Sequence, residues 1–135
     1  MSVGRVAINP SGWKTPSGYA HGISATGRVI VTAGQIGWNP RTGQFESDDF
    51  AEQTAQALRN IVEILQAAGA RPENIIRLTW FVTNRDEYVK ARKPIGSAYK
   101  EIFGRYYPAM SVIVVSALVE PRAKVEIEAT AVVPE

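Results

Sequence analysis

Hydrophobic residues recur at helical spacing in two parts of the chain. The first pattern opens with Asp48 and Asp49 and continues, with apolar residues every three or four positions, to Gly69, which suits the position just after a helix end. The second begins after Asn84, a favourable helix-capping residue, and continues to Gly104. Pro94 lies inside this second pattern, so we expect a kink or a short break there. The pattern therefore predicts two helices.

Short apolar runs and alternating positions predict strands in the rest of the chain. Thr26 and Gly27 separate two such runs, so we expect those runs to form a hairpin. Within the run 74–83, alternation assigns Ile76 and Leu78 to the face that a helix covers. The predicted strands span residues 3–8, 19–25, 28–33, 74–83, 111–118 and 124–133.

The resulting order, βββ-α-β-α-ββ, indicates an α+β fold in which two helices lie on a sheet of about six strands. Two helices can cover only one face of such a sheet. The other face is too apolar in places to be left in water and too polar for an ordinary core; it carries Arg77, Thr79, Phe81, Glu126 and Glu128. An oligomer interface that contains a polar cleft explains both properties.

The length and the cysteine and histidine content limit the chemistry. The 135 residues fit a single domain, residues 1–135, whose size allows a core without covalent cross-links. The chain has no cysteine and one histidine, His21, which excludes a disulfide scaffold, a cysteine nucleophile and a histidine-rich metal centre. We therefore expect neither a metal nor an organic cofactor.

The charge pattern argues against a nucleic-acid partner. The 15 Lys and Arg residues are dispersed and are nearly balanced by 13 Asp and Glu, whereas a nucleic-acid interface requires clustered cations. No apolar segment approaches the length of a membrane span, and residues 1–13 lack the apolar region of a secretory signal. We expect a cytoplasmic protein with no membrane segment.

Three blocks of the sequence resemble the Rid (YjgF) family of reactive intermediate deaminases. They follow in the family's order and extend over most of the chain. The blocks are Gly34, Gln35 and Ile36 with Asn39, Pro40, Thr42 and Gly43; Gln53, Thr54, Gln56, Leu58, Asn60 and Ile61 with Ala67, Ala68 and Gly69; and Pro108 and Ala109 with residues 125–129. The resemblance implies a chorismate-mutase-like fold with a mixed sheet. It also implies a homotrimer that packs through the uncovered sheet face and has clefts between its subunits.

The same resemblance implies an activity, the hydrolysis of small reactive enamines and imines, and a set of site residues. Glu126 matches the family's water-positioning carboxylate, with an ordinary polar strand residue as the alternative. Gly34 matches a backbone N–H donor to the ligand, or else a strand-end bulge. Tyr19 matches an aromatic residue over the cleft, or else packs locally. Arg77 replaces a lysine of the family and binds the ligand or, alternatively, forms an intersubunit salt bridge.

One position departs from the family pattern. Typical deaminases of the family have an arginine directly after the Pro-Ala pair, where it holds the substrate carboxylate, and here that residue is Met110. The loss of a bidentate arginine predicts poor activity on 2-aminoacrylate. Arg77 and Arg105 are the candidates to supply the missing cation, and Met110 is then a wall of the substrate-binding cleft.

Three functions remain open at this point. The first is a deaminase-type hydrolase that uses Glu126 in an intersubunit cleft. The second is a non-catalytic trimer that binds a metabolite or a protein partner. The third is the RNA cleavage associated with the family, against which the dispersed charge and the lack of a histidine pair argue.

Overall fold

The computed structural model of the chain describes residues 4–135 and shows a mixed β-sheet packed against helices. The helices are α1 (Phe50–Ala67), α2 (Arg85–Lys90) and α3 (Arg92–Phe103), and a short 3-10 turn spans Pro72–Asn74. The strands are β1 (Arg5–Ile8), β2 (Gly22–Ala25), β3 (Arg28–Val31), β4 (Gln35–Ile36), β5 (Trp38–Asn39), β6 (Gln44–Phe45), β7 (Ile75–Val82), β8 (Ala109–Val114) and β9 (Val125–Val133).

The main sheet has five strands instead of the six expected. Its order is β3-β9-β7-β8. Strand β3 pairs with residues 130–133 of β9, and the short β4 pairs with Glu126 and Ile127 on the same edge. Strands β7 and β8 run parallel, whereas the other pairs are antiparallel, so the sheet is mixed as expected. The remaining strands form two separate pairs, β1 with β2 and β5 with β6.

The hairpin predicted around Thr26 and Gly27 is wrong. Strand β2 pairs with β1, and β3 pairs with β9. A type I′ turn would require a positive φ at Thr26, but every described residue with a positive φ is a glycine. At Gly27 the backbone passes so close to Val133 that a Cβ would lie 2.1 Å from the Val133 carbonyl oxygen, and the chain turns there onto β9.

Local capping signals determine the helix ends as the sequence predicts. The Asp49 side chain accepts a hydrogen bond from the Glu52 N–H at the start of α1, and Gly69 follows its end with φ +76°. Asn84 caps α2 by accepting from the Glu87 N–H. The expected interruption near Pro94 lies at Ala91, between α2 and α3. Pro94 itself lies in the first turn of α3, where its missing N–H removes no helical hydrogen bond.

The core lies between the helices and one face of the sheet. It contains Phe50, Leu58, Ile61 and Leu65 of α1, Ile95, Tyr99 and Phe103 of α3, Leu78, Trp80 and Val82 of β7, and Val125, Ile127, Ala129 and Ala131 of β9. The alternation predicted for β9 is confirmed as far as Ala131, whereas Val132, on the other face, is also buried. On β7 a bulge between Ile75 and Arg77 makes Ile75, instead of Ile76, a core residue.

The opposite face of the sheet, which we call the open sheet face, has no helix on it. Its exposed apolar side chains include Val31, with 69% of its surface accessible, Val29 and Ile113. Its polar residues include Arg77, Thr79, Ser111, Glu126, Glu128 and Thr130. Within residues 4–135, no helix is long and apolar enough to cross a bilayer.

Candidate functional site

A cavity of about 680 Å³ lies on the helix side of the sheet, beside the edge strand β8. Five of its lining residues are aromatic, and we call it the aromatic cavity. The lining residues are Ser17, Gly18, Tyr19, Trp80, Tyr88, Arg92, Ile95, Gly96, Tyr99, Lys100, Tyr107, Met110 and Val112. Its volume lies within the range of small-molecule sites in proteins.

The chain brings Tyr19 to this cavity through contacts along the free edge of β8. Ala20 forms a parallel bridge with Ala109, and the Ala20 N–H donates to the Pro108 carbonyl at 3.0 Å. Met110 reaches the same cavity because it pairs with Leu78, a core residue, and so points to the helix side of the sheet. The structure therefore brings together Tyr19 and Met110, two of the residues predicted to contact substrate.

The aromatic cavity contains two cations and no carboxylate. Arg92 and Lys100 line it, and neither forms an ion pair with any of residues 4–135. Burial raises the pKa of Tyr88, and the positive charge of Arg92 partly offsets this. Burial raises the pKa of Tyr99 well above its ordinary value, and the neighbouring Tyr107 raises it further. Both hydroxyls therefore stay protonated near neutral pH, and the cavity favours an anionic ligand.

The second group of predicted residues lies on the open sheet face. Glu126 of β9 pairs with Phe81 and Ile36, and its carboxylate forms no ion pair among the described residues. Gly34 lies against it: a Cβ at position 34 would be 2.7 Å from the Glu126 Cδ. A larger residue would therefore displace the carboxylate.

Gly34 also occupies a bulge. Val31 pairs with Thr130 and Gln35 with Ile127, so the segment between β3 and β4 has one residue more than the facing part of β9. The two sequence interpretations of Gly34 are therefore compatible, because the bulge is what brings the backbone next to Glu126.

Helix α1 supports the segment after this bulge through two buried residues, Asn60 and Gln53. Asn60 donates to the carbonyls of Ile36 and Trp38, at 3.3 and 3.1 Å. Gly37 lies against Gln53, where a Cβ would be 2.4 Å from the Gln53 carbonyl oxygen. The Asn60 side chain thus holds the segment that follows Gly34, and the backbone of Gln53 packs against Gly37 in the same segment.

One chain does not bring all of the predicted residues together. Tyr19 and Met110 lie in the aromatic cavity, whereas Glu126, Gly34 and Arg77 lie on the other side of the sheet. Arg77 pairs with Thr130 and is exposed, and Arg105 is exposed and does not line the cavity. Neither of the two predicted replacement cations is therefore next to Met110 within one chain.

Sequence reasoning missed the residues that surround Met110, above all Arg92, Gly96 and Lys100. These three are four residues apart and so share one face of α3. The spacing was present in the sequence. What the sequence could not show is that this face turns toward β8, because that depends on the packing of α3 against α1 and the sheet.

The only histidine lies outside both groups. His21 packs edge-on against Trp13 and Tyr19, with ring centroids 4.9 and 5.4 Å apart. Across residues 4–135, no group of three or more His, Cys, Asp or Glu side chains is placed to hold a metal ion. The Glu126 carboxylate and the Gly34 backbone thus lie on the open sheet face, whereas the cations Arg92 and Lys100 lie in the aromatic cavity.

Comparisons with known proteins identify the family. A family model described as Endoribonuclease L-PSP matches residues 12–133. A human protein named 2-iminobutanoate/2-iminopropanoate deaminase is 35% identical over 105 residues, which cover 78% of this chain and 73% of the human protein.

Solved structures give the same result. YyfB from Yersinia pestis, described as a Rid-family protein of unknown function, superimposes with a TM-score of 0.83 at 34% identity over 97% of this chain and 100% of that chain. E. coli TdcF with bound serine has a TM-score of 0.67 at 32% identity, over 94% of this chain and 91% of that chain. The chain therefore belongs to the Rid (YjgF) family, and the predicted α+β fold is confirmed.

Proposed function

We propose that this protein hydrolyses a reactive imine or enamine to a carbonyl compound and ammonia, in a cleft between subunits of a homotrimer. The observation that carries the proposal is the carboxylate of Glu126, which has no ion-pair partner among residues 4–135 and lies against the backbone of Gly34. The human relative's name, an imine deaminase, supports the same reaction class.

The reaction needs little beyond one carboxylate and a water molecule. Glu126 accepts a proton from water while the water oxygen adds to the imine carbon, which forms a C–O bond. The C=N π electrons move to the nitrogen, which takes this proton and gives an amino alcohol. Glu126 then accepts the hydroxyl proton and passes it to the amino nitrogen, so that the C–N bond breaks, ammonia leaves and the carbonyl forms. An enamine first takes up a proton at carbon to become the imine. One positioned carboxylate can serve as base and then as acid in this sequence.

The two-sided arrangement of the site residues supports an intersubunit location. Within one chain the sheet separates Glu126 and Gly34 from Tyr19 and Met110, so a substrate cannot contact both groups. A neighbouring subunit that packs on the open sheet face would bring its own aromatic cavity toward Glu126. The exposed Val29, Val31 and Ile113 supply apolar surface for such packing.

Substitution of the carboxylate tests the proposal. Imines formed in situ by enzymatic oxidation of amino acids should be hydrolysed faster with the protein than without it. Glu126→Gln keeps the size of the side chain but removes the base, so we expect a loss of about 10²- to 10⁴-fold in kcat. Glu128→Gln, two residues along on the same face, is the matched control and should retain activity. Full activity in Glu126→Gln would contradict the assignment.

Met110 favours a second function, non-catalytic binding. If Met110 occupies the position of the family's substrate-holding arginine, a small carboxylate loses its main anchor, and activity on 2-aminoacrylate should be poor. A wild-type trimer that binds ligands but accelerates no imine hydrolysis would establish this alternative. Met110→Arg should then raise activity on small imino acids if the rest of the cleft still accepts a carboxylate.

A further inference from the structure

We infer that the aromatic cavity binds a planar aromatic carboxylate, so that the substrate of this protein is the imine of an aromatic 2-oxo acid. The inference rests on the proposed function and names its substrate class. The size, the aromatic lining and the positive charge of the cavity point to this class of ligand.

The size and lining of the cavity suit a ring. A three-carbon imino acid would fill little of about 680 Å³. Trp80, Tyr88, Tyr99 and Tyr107 form much of the wall, and the rings of Tyr99 and Tyr107 are already stacked at 5.5 Å with 10° between their planes. Aromatic faces and edges bind a further ring in offset or edge-on geometry better than they bind an alkyl chain of the same area.

Gly96 keeps the cavity wide. It lies within α3, where glycine costs about 1 kcal/mol of helix stability relative to alanine. A Cβ at this position would meet no atom within 4 Å, so neither packing nor backbone conformation requires a glycine. The missing side chain leaves open space on the cavity wall, between Arg92 and Lys100.

The charge of the lining selects an anion and offers a substitute for the arginine absent at Met110. Arg92 and Lys100 stand one helical turn to either side of Gly96, without a carboxylate partner among the described residues. A carboxylate at one end of a ring in the cavity can therefore accept hydrogen bonds from Arg92, whose planar guanidinium suits that geometry.

Trp80, in the wall of the cavity, carries a hydrogen-bond donor without a partner among the described residues. Its indole Nε1–H is buried and has no hydrogen-bond partner among residues 4–135, although the side chain lines the cavity. A buried donor without an acceptor is costly, and native proteins contain few of them. Because the nitrogen itself is buried, an acceptor atom on a bound ligand would reach it only after neighbouring side chains move.

Stable probes test the inference without any catalysis. Calorimetric titration of the assembled full-length protein should show that benzoate binds at least tenfold more tightly than propanoate or benzyl alcohol, which lack the ring and the charge respectively. Benzoate should also shift the Trp80 indole N–H signal in a proton–nitrogen correlation spectrum. Arg92→Gln should weaken benzoate about ten- to hundredfold. Lys93→Gln, the exposed neighbour outside the cavity, should have no effect.

Substitutions at Gly96 test the shape of the cavity. Gly96→Leu should abolish benzoate binding, because its side chain fills the open space of the cavity. Gly96→Ala should raise thermal stability and keep most of the binding. This control would show that the helix tolerates a substitution at position 96. In the activity assay, the imine of phenylalanine should exceed that of alanine by at least tenfold in kcat/KM, and Gly96→Leu should reverse the order.

Two results would overturn the inference: equal binding of benzoate and propanoate, or equal effects of Arg92→Gln and Lys93→Gln. Both leave the proposed deamination intact if Glu126→Gln still abolishes hydrolysis of small imines. Conversely, tight benzoate binding in a protein that hydrolyses no imine would retain the ligand class and refute the reaction.

Discussion

At the scale of single residues, Gly34 is the glycine that lies against the carboxylate of Glu126. Its φ is not in the left-handed region, so the backbone conformation does not demand glycine. The constraint is contact, because a Cβ would lie within 3.0 Å of three atoms of the Glu126 side chain. Glycine at position 34 therefore determines where the carboxylate can be.

We predict that Gly34→Ala lowers kcat about ten- to hundredfold while the assembly remains intact, because a displaced general base loses alignment with the water it activates. Ala33→Ser, at the exposed neighbouring residue, is the control and should retain the wild-type rate. Steady-state kinetics on one confirmed imine provides the measurement. An unchanged kcat in Gly34→Ala would show that the position of the Glu126 carboxylate does not limit the reaction.

Tyr99 gives a prediction about pH. Burial raises its pKa in the folded chain above the ordinary value of 10.0, and its hydroxyl donates to the Tyr106 carbonyl. Above pH 10 the unfolded state loses this proton while the folded state keeps it, so unfolding becomes more favourable. The stability that Tyr99 contributes is complete below pH 10 and is lost as the pH rises from there toward the folded-state pKa.

Tyr99→Phe should therefore lower the free energy of unfolding by about 1 kcal/mol at pH 7, through the lost hydrogen bond. It should also lose less stability than the wild type between pH 10 and pH 11.5, so that the two curves converge. Urea unfolding across this range provides the test, with Tyr106→Phe, an exposed tyrosine, as the control. Parallel curves would mean that Tyr99 ionises in the folded state as readily as in the unfolded one.

At the scale of elements, Gln53 joins α1 to two loops. Its side-chain nitrogen donates to the carbonyls of Ser47 and Arg122, at 3.1 and 3.0 Å, and its oxygen accepts from the Lys124 N–H at 2.9 Å. The residue is fully buried. Three backbone groups, from two distant parts of the sequence, thus depend on one amide for their hydrogen bonds.

Gln53→Ala should destabilise the protein by about 3 kcal/mol, because it leaves these backbone groups without partners and opens a cavity. Gln66→Ala, an exposed glutamine near the end of the same helix, should change stability by less than about 0.5 kcal/mol. Denaturant unfolding of both variants compares them directly. Equal stabilities would mean that water replaces the lost bonds.

At the scale of the whole molecule, the open sheet face is the main surface without a partner in the chain. Val29, Val31 and Ile113 are exposed there beside charged residues. Exposed valines on a regular sheet are typical of subunit interfaces. We therefore expect light scattering to give three times the mass of one chain, as the family resemblance implies.

Val31→Arg should dissociate this trimer, because it places charges without partners in an apolar interface. The fold of the single chain should tolerate the change, since 69% of the surface of Val31 is already accessible there. Val119→Arg, at a loop position that is 98% exposed and away from the sheet, should leave the assembly unchanged. If the Val31→Arg variant remained a trimer, the subunit interface would have to lie on another surface. Dissociated chains should also lose imine hydrolysis if the cleft lies between subunits.

The success of sequence reasoning differs between local and non-local features. The caps at Asp49 and Asn84 and the stop at Gly69 depend on hydrogen bonds within a few residues, and they are found as predicted. The hairpin predicted at Thr26 and the core position predicted for Ile76 were wrong, since strand pairing and bulges depend on partners that lie much later in the chain, in β9.

The sequence by itself determined the α+β class, the two helical regions, the alternation of β9 and the family, because these rest on periodicity, caps and residue blocks. The tertiary structure decided how the candidate residues are divided. Only the pairing of β8 with β7 places Met110 on the helix side of the sheet, and only the pairing of β9 with β7 places Glu126 on the other. Each residue has a fixed side in its own strand, but packing decides which side a helix covers.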